Sequence, residues 1–233
     1  MVNTEQNGRA AKLQSDYQSF INAIKRKKKF IYAMKRIIFI LLTVFGGTIF
    51  AKAQTATTNE GVEINGIIWA ISNVDTPKKF CSNPWESGMF YQWNRPIGWS
   101  NSDPMTNNRG ETTWDESTPS GNTWEINICP SGWRLPTLKE LESLLSSESL
   151  WGELNGVKGR FFGSGKQKVF FPAAGDRYKE SGALYDVGNC GYYWSSTPFG
   201  NGAYCLKFVT DSFIGKPVFP RSFGFCVRCV LDK

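Results

Sequence analysis

One stretch of this 233-residue chain carries a complete helix signature, CPSGWRLPTLKELESLL at residues 129–145, and its shortness constrains everything around it. Thr137 is a good N-cap, and Glu140 three residues later completes a capping box. Leu138, Leu141, Leu144 and Leu145 share one helical face. Pro136 keeps Leu135 extended, so the chain enters from Trp133 as a strand and turns at the cap. Arg134, inside this corner, reads as the centre of a structural hydrogen-bond network. About nine residues are too few to stay helical alone, so packing must hold the helix.

The rest reads as β. VEINGIIWAISNV (62–74) predicts a hairpin about Asn65-Gly66. GMFYQW (88–93) is a short strand or a helix start. Residues 95–124 are Gly, Pro, Asn, Ser, Thr and Trp without periodicity, a long loop that is either functional or poorly ordered. VFFPAAGDRY (169–178), GYYWSST (191–197), AYCLKFV (203–209) and GFCVRCVL (224–231) predict short strands, with PFGNG (198–202) as a hairpin loop. The expected class is α+β: short antiparallel strands, one or two short helices and long loops.

The formal charge of +7 misleads. Ten Lys or Arg and two acidic residues fall in 1–53, leaving 17 basic against 18 acidic residues from Gln54 onward. A folded body so balanced gives no basic footprint for nucleic acid. Met34-Lys35-Arg36, the apolar run Ile37 to Phe50 and Ala51-Lys52-Ala53 have the layout of a secretory signal peptide. The apolar run is shorter than the roughly 18 to 20 residues that cross a bilayer. The expected organisation is 1–33 as a mis-assigned upstream extension, 34–53 as signal peptide, 54–61 as a polar tail and 62–231 as one domain. Membrane contact arises only through the leader if it stays uncleaved. All six cysteines, Cys81, Cys129, Cys190, Cys205, Cys226 and Cys229, follow the leader, which favours disulfides. Six cysteines allow fifteen full pairings, and spacing alone chooses none.

INGIIW, GMFYQW, CPSGWRLPTLKELESLL, FFPAAGDRY, GYYWSST and GFCVRCV, in that order across about residues 62–231, resemble the Fibrobacter succinogenes major paralogous domain. The resemblance implies an exported bacterial protein of the Bacteroidota kind and a branch of the C-type lectin-like fold. The G-W-R-L-P-T-x-x-E string is also shared with the sulfatase-modifying-factor group on that fold. No defined activity comes with the family, so the resemblance speaks to fold and location. Cys129 and Cys229 match positions commonly Cys in the family, which implies a disulfide between them. The first cysteine of GFCVRC, Cys226, departs from the usual pattern, and Cys81, Cys190 and Cys205 are also extra.

The chain has no histidine, which removes Ser-His-Asp and Cys-His catalysis and His metal ligation. The resemblance to the sulfatase-modifying-factor group, which uses a late Cys pair, implies a copper oxidase of the formylglycine-generating kind on Cys226 and Cys229, but that group's Cys spacing is not reproduced here. On a strand, though, residues three apart face opposite sides, which favours structural disulfides. Of nine tryptophans, Trp69, Trp133 and Trp194 are expected in the core. Trp85, Trp93, Trp99, Trp114 and Trp124, and also Trp151, lie in loop-like sequence. The first five are candidates for a sugar-binding surface, since an indole face meets the CH face of a sugar. The alternative is that they pin loops to the body. Asp103, Asn107, Asn108, Glu111, Asp115 and Glu116 make an oxygen-rich loop in which calcium is conceivable. The Glu-Pro-Asn, Gln-Pro-Asp and Trp-Asn-Asp signatures of calcium-dependent lectins are missing, and Trp93-Asn94-Arg95 has Arg in place of the acid. Neither Glu140/Glu142 nor Asp115/Glu116 has a glycosidase-like setting.

The expected protein is thus an exported, non-catalytic binding module for glycans or other surface partners, placed in the periplasm, at the cell surface or outside the cell, with no cofactor required. An oxidase on the late Cys pair and a purely structural or fimbria-associated part are the alternatives. Mass spectrometry of the native protein should find Gln54 at the N-terminus; a peptide containing residues 20–33 would refute both the start and the cleavage.

Overall fold

The structure is a computed structural model and describes residues 61–210 and 214–232. The extension, the signal peptide and nearly all of the tail lie outside the described residues. In chain order the strands are β1 (Gly61–Ile64), β2 (Ile67–Ala70), β3 (Phe90–Tyr91), β4 (Gly98–Trp99) and β5 (Trp133–Arg134). Helix α1 (Leu138–Leu145) follows, then β6 (Ser149–Leu154), β7 (Val157–Ser164), β8 (Gln167–Pro172), β9 (Asp176–Arg177) and β10 (Leu184–Tyr185). The last are β11 (Cys190–Phe199), β12 (Gly202–Val209), β13 (Ile214–Gly215), β14 (Val218–Pro220) and β15 (Val230–Leu231). Mostly antiparallel short strands with one helix among the described residues agree with the α+β expectation. Gly61, counted as tail from sequence, is the first residue of β1.

Asn65 and Gly66 both adopt left-handed backbone, φ 51° and 79°, and fold β1 onto β2 with Ile64 opposite Ile67. This ribbon forms one side of a four-stranded sheet ordered β1-β2-β15-β5. Its late strand β15 lies between the first hairpin and the corner strand: Val230 pairs with both Trp69 and Arg134. A second sheet is the meander β6-β7-β8, and a third joins β11 to β12, with β13 and β14 both on β12. Two small ribbons, β3-β4 and β9-β10, complete the set.

β11 carries GYYWSS through the interior. Residues Cys190 to Ser195 are all buried, and their alternation sends side chains to both faces. Tyr193, with Leu206 and Phe208 of β12, enters a core shared with Trp69, Phe162, Phe171 and the helix residues Leu141 and Leu144. Tyr192 and Trp194 enter the other, with Trp93, Trp133, Phe225 and the Cys129–Cys229 pair.

The corner forms as its sequence requires. Thr137 accepts from the Glu140 backbone N–H at 3.3 Å, and the Glu140 carboxylate accepts from the Thr137 N–H at 2.7 Å. The same carboxylate takes a bidentate contact from Arg134 at 2.7 and 2.9 Å, and Arg134 Nε reaches Asp232 at 3.2 Å. Burial pushes the Glu140 carboxyl up, but these donors outweigh it and hold it below its ordinary value. A register shift in β11 between Trp194 and Pro198 turns residues 195–197 toward the corner. There Leu138 N–H donates to Thr197 Oγ1 at 2.9 Å and Ser196 N–H to the Pro136 carbonyl at 2.8 Å. At the far end of α1, the Asn65 side chain donates to the Ser143 carbonyl at 2.8 Å. The helix is held at its start by β11, at its end by the first hairpin, and along its length by two buried leucines.

Two expectations need correction. GFCVRCVL is not one strand: only Val230–Leu231 is regular, and Gly224, Phe225 and Cys226 make isolated bridges to Arg177, Tyr91 and Tyr193. The segment is buried, and its backbone bonds go in turn to Arg177, Tyr91, Tyr192 and Trp194, Val74 and Ala70, so no single strand pairs along it. Trp151 is not in a loop but in β6, opposite Arg160, with its ring 6.2 Å from that of Phe208. The β6-β7 hairpin escaped the sequence reading although Asn155-Gly156, φ 50° and 81°, is the same turn dipeptide as Asn65-Gly66.

Thr137→Ala should cost about 1 kcal/mol through loss of the cap, whereas Trp133→Ala should cost about 3–5 kcal/mol, because the ring is buried beside the disulfide. Urea denaturation of the two variants gives the comparison; equal, small losses would mean that Trp133 is not a core residue.

Candidate functional site

The five candidate tryptophans separate. Trp93 is fully buried, donates Nε1–H to the Ser195 carbonyl at 3.0 Å, and has the Arg221 guanidinium 4.2 Å from its ring centroid. Trp99 and Trp114 are also buried and pack on each other at 5.0 Å, and Trp114 donates to the Lys179 carbonyl at 3.0 Å. These three present no ring to a ligand, which corrects the sugar-surface expectation for them. In a loop with little regular structure, an indole combines a large apolar area with one donor, and so fastens backbone to core.

Trp124 is half-buried, packs edge-on against Trp93 at 5.5 Å, and borders a cleft of about 240 Å³ with Arg134, Thr137 and Ser196. Trp85 is half-buried and lines a groove of about 550 Å³ with Glu86, Asn101, Lys158 and the turn residues Val187 to Asn189. Asn83 donates through its backbone N–H and side-chain amide to the Glu86 carboxylate and holds it below its ordinary value. Trp85 and Trp124 each line a depression that includes polar side chains.

The acidic loop is occupied with its own backbone. Asn107 Oδ1 accepts from the N–H groups of Arg109 and Glu111, and Asn107 Nδ2 donates to Glu111 at 2.7 Å. Asp115 accepts from Ser117 and pairs with Arg95, while Asp103 pairs with the buried Arg177 at 3.3 Å. No group of three or more His, Cys, Asp or Glu among the described residues is arranged to hold a metal ion.

Cys129 and Cys229 form a disulfide across 100 residues. Closing so long a loop is worth about 4 to 5 kcal/mol in the chain-entropy model. Cys226 does not join Cys229 as a pair: it is a buried free thiol that donates to the Ser87 carbonyl at 3.4 Å. The expected separation of the two holds, although the backbone there is irregular and not the strand on which that expectation was based. Cys81, Cys190 and Cys205 are also free and buried. Burial pushes the Cys81 thiol up to about 12 and raises that of Cys226 further.

A group of residues not singled out from sequence lies on β9–β12 and the segments beside them. Asp176 is 6% exposed, and Tyr185 stands directly opposite it on β10. The Tyr178 ring is 5.8 Å from that of Tyr185 and 5.5 Å from that of Phe223. Tyr192 donates Oη–H to Asp186 at 3.1 Å, and the Lys207 ammonium sits 5.0 Å from the Tyr192 ring centroid. Burial pushes the Asp176 carboxyl up to about 7; Asp186 adds to the rise and Lys207 opposes it. The available signal was a lone acid inside the apolar run VFFPAAGDRY, since a carboxylate is seldom buried unless paired.

No family model, curated protein or solved structure matches the chain.

The raised Asp176 value has a definite consequence for stability. The folded protein keeps a proton that the unfolded chain releases near 3.8, so the contribution of this group is full below that value and is lost as pH rises toward about 7. Asp176→Asn should therefore be more stable than the parent by roughly 2–4 kcal/mol at about pH 8, the gap closing near pH 4. Urea melts across that range test this; a gap independent of pH would show that Asp176 is not buried as described.

Proposed function

We propose that the protein is an exported, non-catalytic binding module of C-type lectin-like fold, related to the Fibrobacter succinogenes major paralogous domain, and that it takes a glycan or similar surface polymer in the Trp85 groove. The observation that carries this reading is the groove itself: a half-buried indole next to Asn101, Glu86 and Lys158 in a depression of about 550 Å³. An indole face covers the CH face of a sugar, while an amide, a carboxylate and an ammonium offer hydroxyl partners of both kinds. The disulfide Cys129–Cys229 supports export, because such bonds persist in oxidising compartments. The proposed locations are the periplasm, the cell surface or the medium.

A glycan array probed with the purified protein should give binding to a restricted set of structures. Trp85→Ala should lower that binding at least roughly tenfold with the melting temperature unchanged. Trp124→Ala reports on the corner cleft, and a loss confined to that variant would move the site there. A blank array would favour the structural or fimbria-associated role instead.

A further inference from the structure

Asp176 lacks the partners that a buried carboxylate needs. It is 6% exposed, and no described residue donates a hydrogen bond to its carboxylate or forms an ion pair with it. Its oxygens are not sealed, since the buried side-chain atoms without a partner do not include them. An unsatisfied carboxylate in such a position is costly and calls for a reason.

The surroundings show what could complete it. Tyr185, 53% exposed, is its cross-strand neighbour, and two neighbours so placed share one face of the ribbon. Tyr178 meets Tyr185 on that side. Beyond Tyr185 come Asp186 and then Val187, 56% exposed, so two of the large exposed apolar side chains flank one carboxylate. The charged and titratable groups that act on Asp176 are Asp186 and Lys207, and Asp176 in turn acts on Tyr192 and on the buried thiols of Cys205 and Cys226 behind it. The site thus offers two carboxylate acceptors, one ammonium donor and two tyrosine rings. An anionic ligand would meet both carboxylates, and a cationic one would meet Lys207. A neutral ring rich in hydroxyls suits all of them: its hydroxyls donate to the carboxylates and accept from Lys207, and its CH face lies on tyrosine.

The same turn borders both sites. Val187, Gly188 and Asn189 line the Trp85 groove, while the two residues before them, Tyr185 and Asp186, belong to the Asp176 face. We propose that Asp176, Tyr185 and Lys207 form a second saccharide subsite, continuous with the Trp85 groove across the Tyr185–Asn189 turn, and that the ligand is a neutral polysaccharide segment of several sugars. The ligand class rests on the glycan reading above; the subsite rests on Asp176 and its neighbours.

The test is isothermal titration of the purified protein with soluble neutral oligosaccharides of glucose, mannose, galactose or xylose and with the corresponding monosaccharides. For the oligosaccharide bound best, Asp176→Asn, Tyr185→Ala and Trp85→Ala should each weaken binding at least roughly tenfold. Tyr185→Ala removes an exposed ring and guards against a folding defect in the Asp176 variant. Carboxyl carbon NMR should show the Asp176 titration midpoint falling when that oligosaccharide is added, because hydroxyl donors favour the ionised form. A structural role alone would not move it. If Asp176→Asn and Tyr185→Ala bind like the parent while Trp85→Ala fails, the subsite is wrong and the groove stands. Loss in those two variants with Trp85→Ala unaffected keeps the subsite and removes the groove. A monosaccharide bound as tightly as its oligomer overturns the continuity, and a parent protein that binds none of these sugars overturns subsite and groove together.

Discussion

The fold depends on a guanidinium with no acid beside it. Arg228 is fully buried and gives Nε to Asn73 Oδ1 at 2.8 Å, Nη1 to the carbonyls of Ala70 and Ile71 at 2.9 and 2.6 Å, and Nη2 to the Phe170 carbonyl at 3.0 Å. The Phe171 ring lies 4.5 Å from its guanidinium carbon. Burial lowers its pKa to about 10, so it stays charged at neutral pH. Taking a charge out of water costs several kcal/mol, and here carbonyl dipoles and a ring face replace the water. One side chain thereby joins the exit of the first hairpin to the last strand of the β6-β7-β8 meander. The neighbouring backbone follows it: Ala70 N–H bonds to the Cys229 carbonyl and Val74 N–H to that of Val227.

Two other buried arginines also gather carbonyls, although one of them, Arg177, has Asp103 beside it. Arg177 donates to the carbonyls of Ser100, Ser102 and Gly182, and Arg221 to those of Gly121, Gly200 and Gly202. Apart from Gly202, the first residue of β12, these carbonyls lie outside the strands, and three of them belong to the long 95–124 loop. Backbone acceptors in buried irregular chain must find donors somewhere. A planar fork with five N–H groups serves several at once, as a lysine could not. Together with the indoles of Trp93 and Trp114, the arginines do for the loops what strand pairing does elsewhere.

This division also explains what the sequence made legible. The Asn65-Gly66 hairpin and the Thr137–Glu140 corner are local devices, complete within a few residues, and they appear where their spacing puts them. The C-type lectin-like assignment and the family resemblance draw on motif order and go further than the short-strand α+β architecture itself. The arginine clamps were not legible: Arg228 acts on residues near 70 and 170, and nothing in GFCVRCVL announces those partners. For the same reason Trp93 and Trp85 look alike in sequence although one is sealed in the core and the other lines a groove. Local composition is similar, and burial is decided by Arg221, Ser195 and other residues far along the chain. Asp176 was passed over because its meaning lies in the absence of a partner, and an absence can only be seen once neighbours are in place.

The position of β15 bears on how such a chain comes to be folded. It lies between β2 and β5, bonded to both, yet among the described elements it is the last to leave the ribosome. The hairpin and the corner strand that it joins are made long before it and cannot meet through any other element of that sheet. Its contacts span most of the domain, so loop-closure entropy has to be overcome before they form, and folding is slow by topology. Nascent chains therefore stay unlocked until synthesis of the domain is almost over, and the sheet closes as a single late event and not strand by strand.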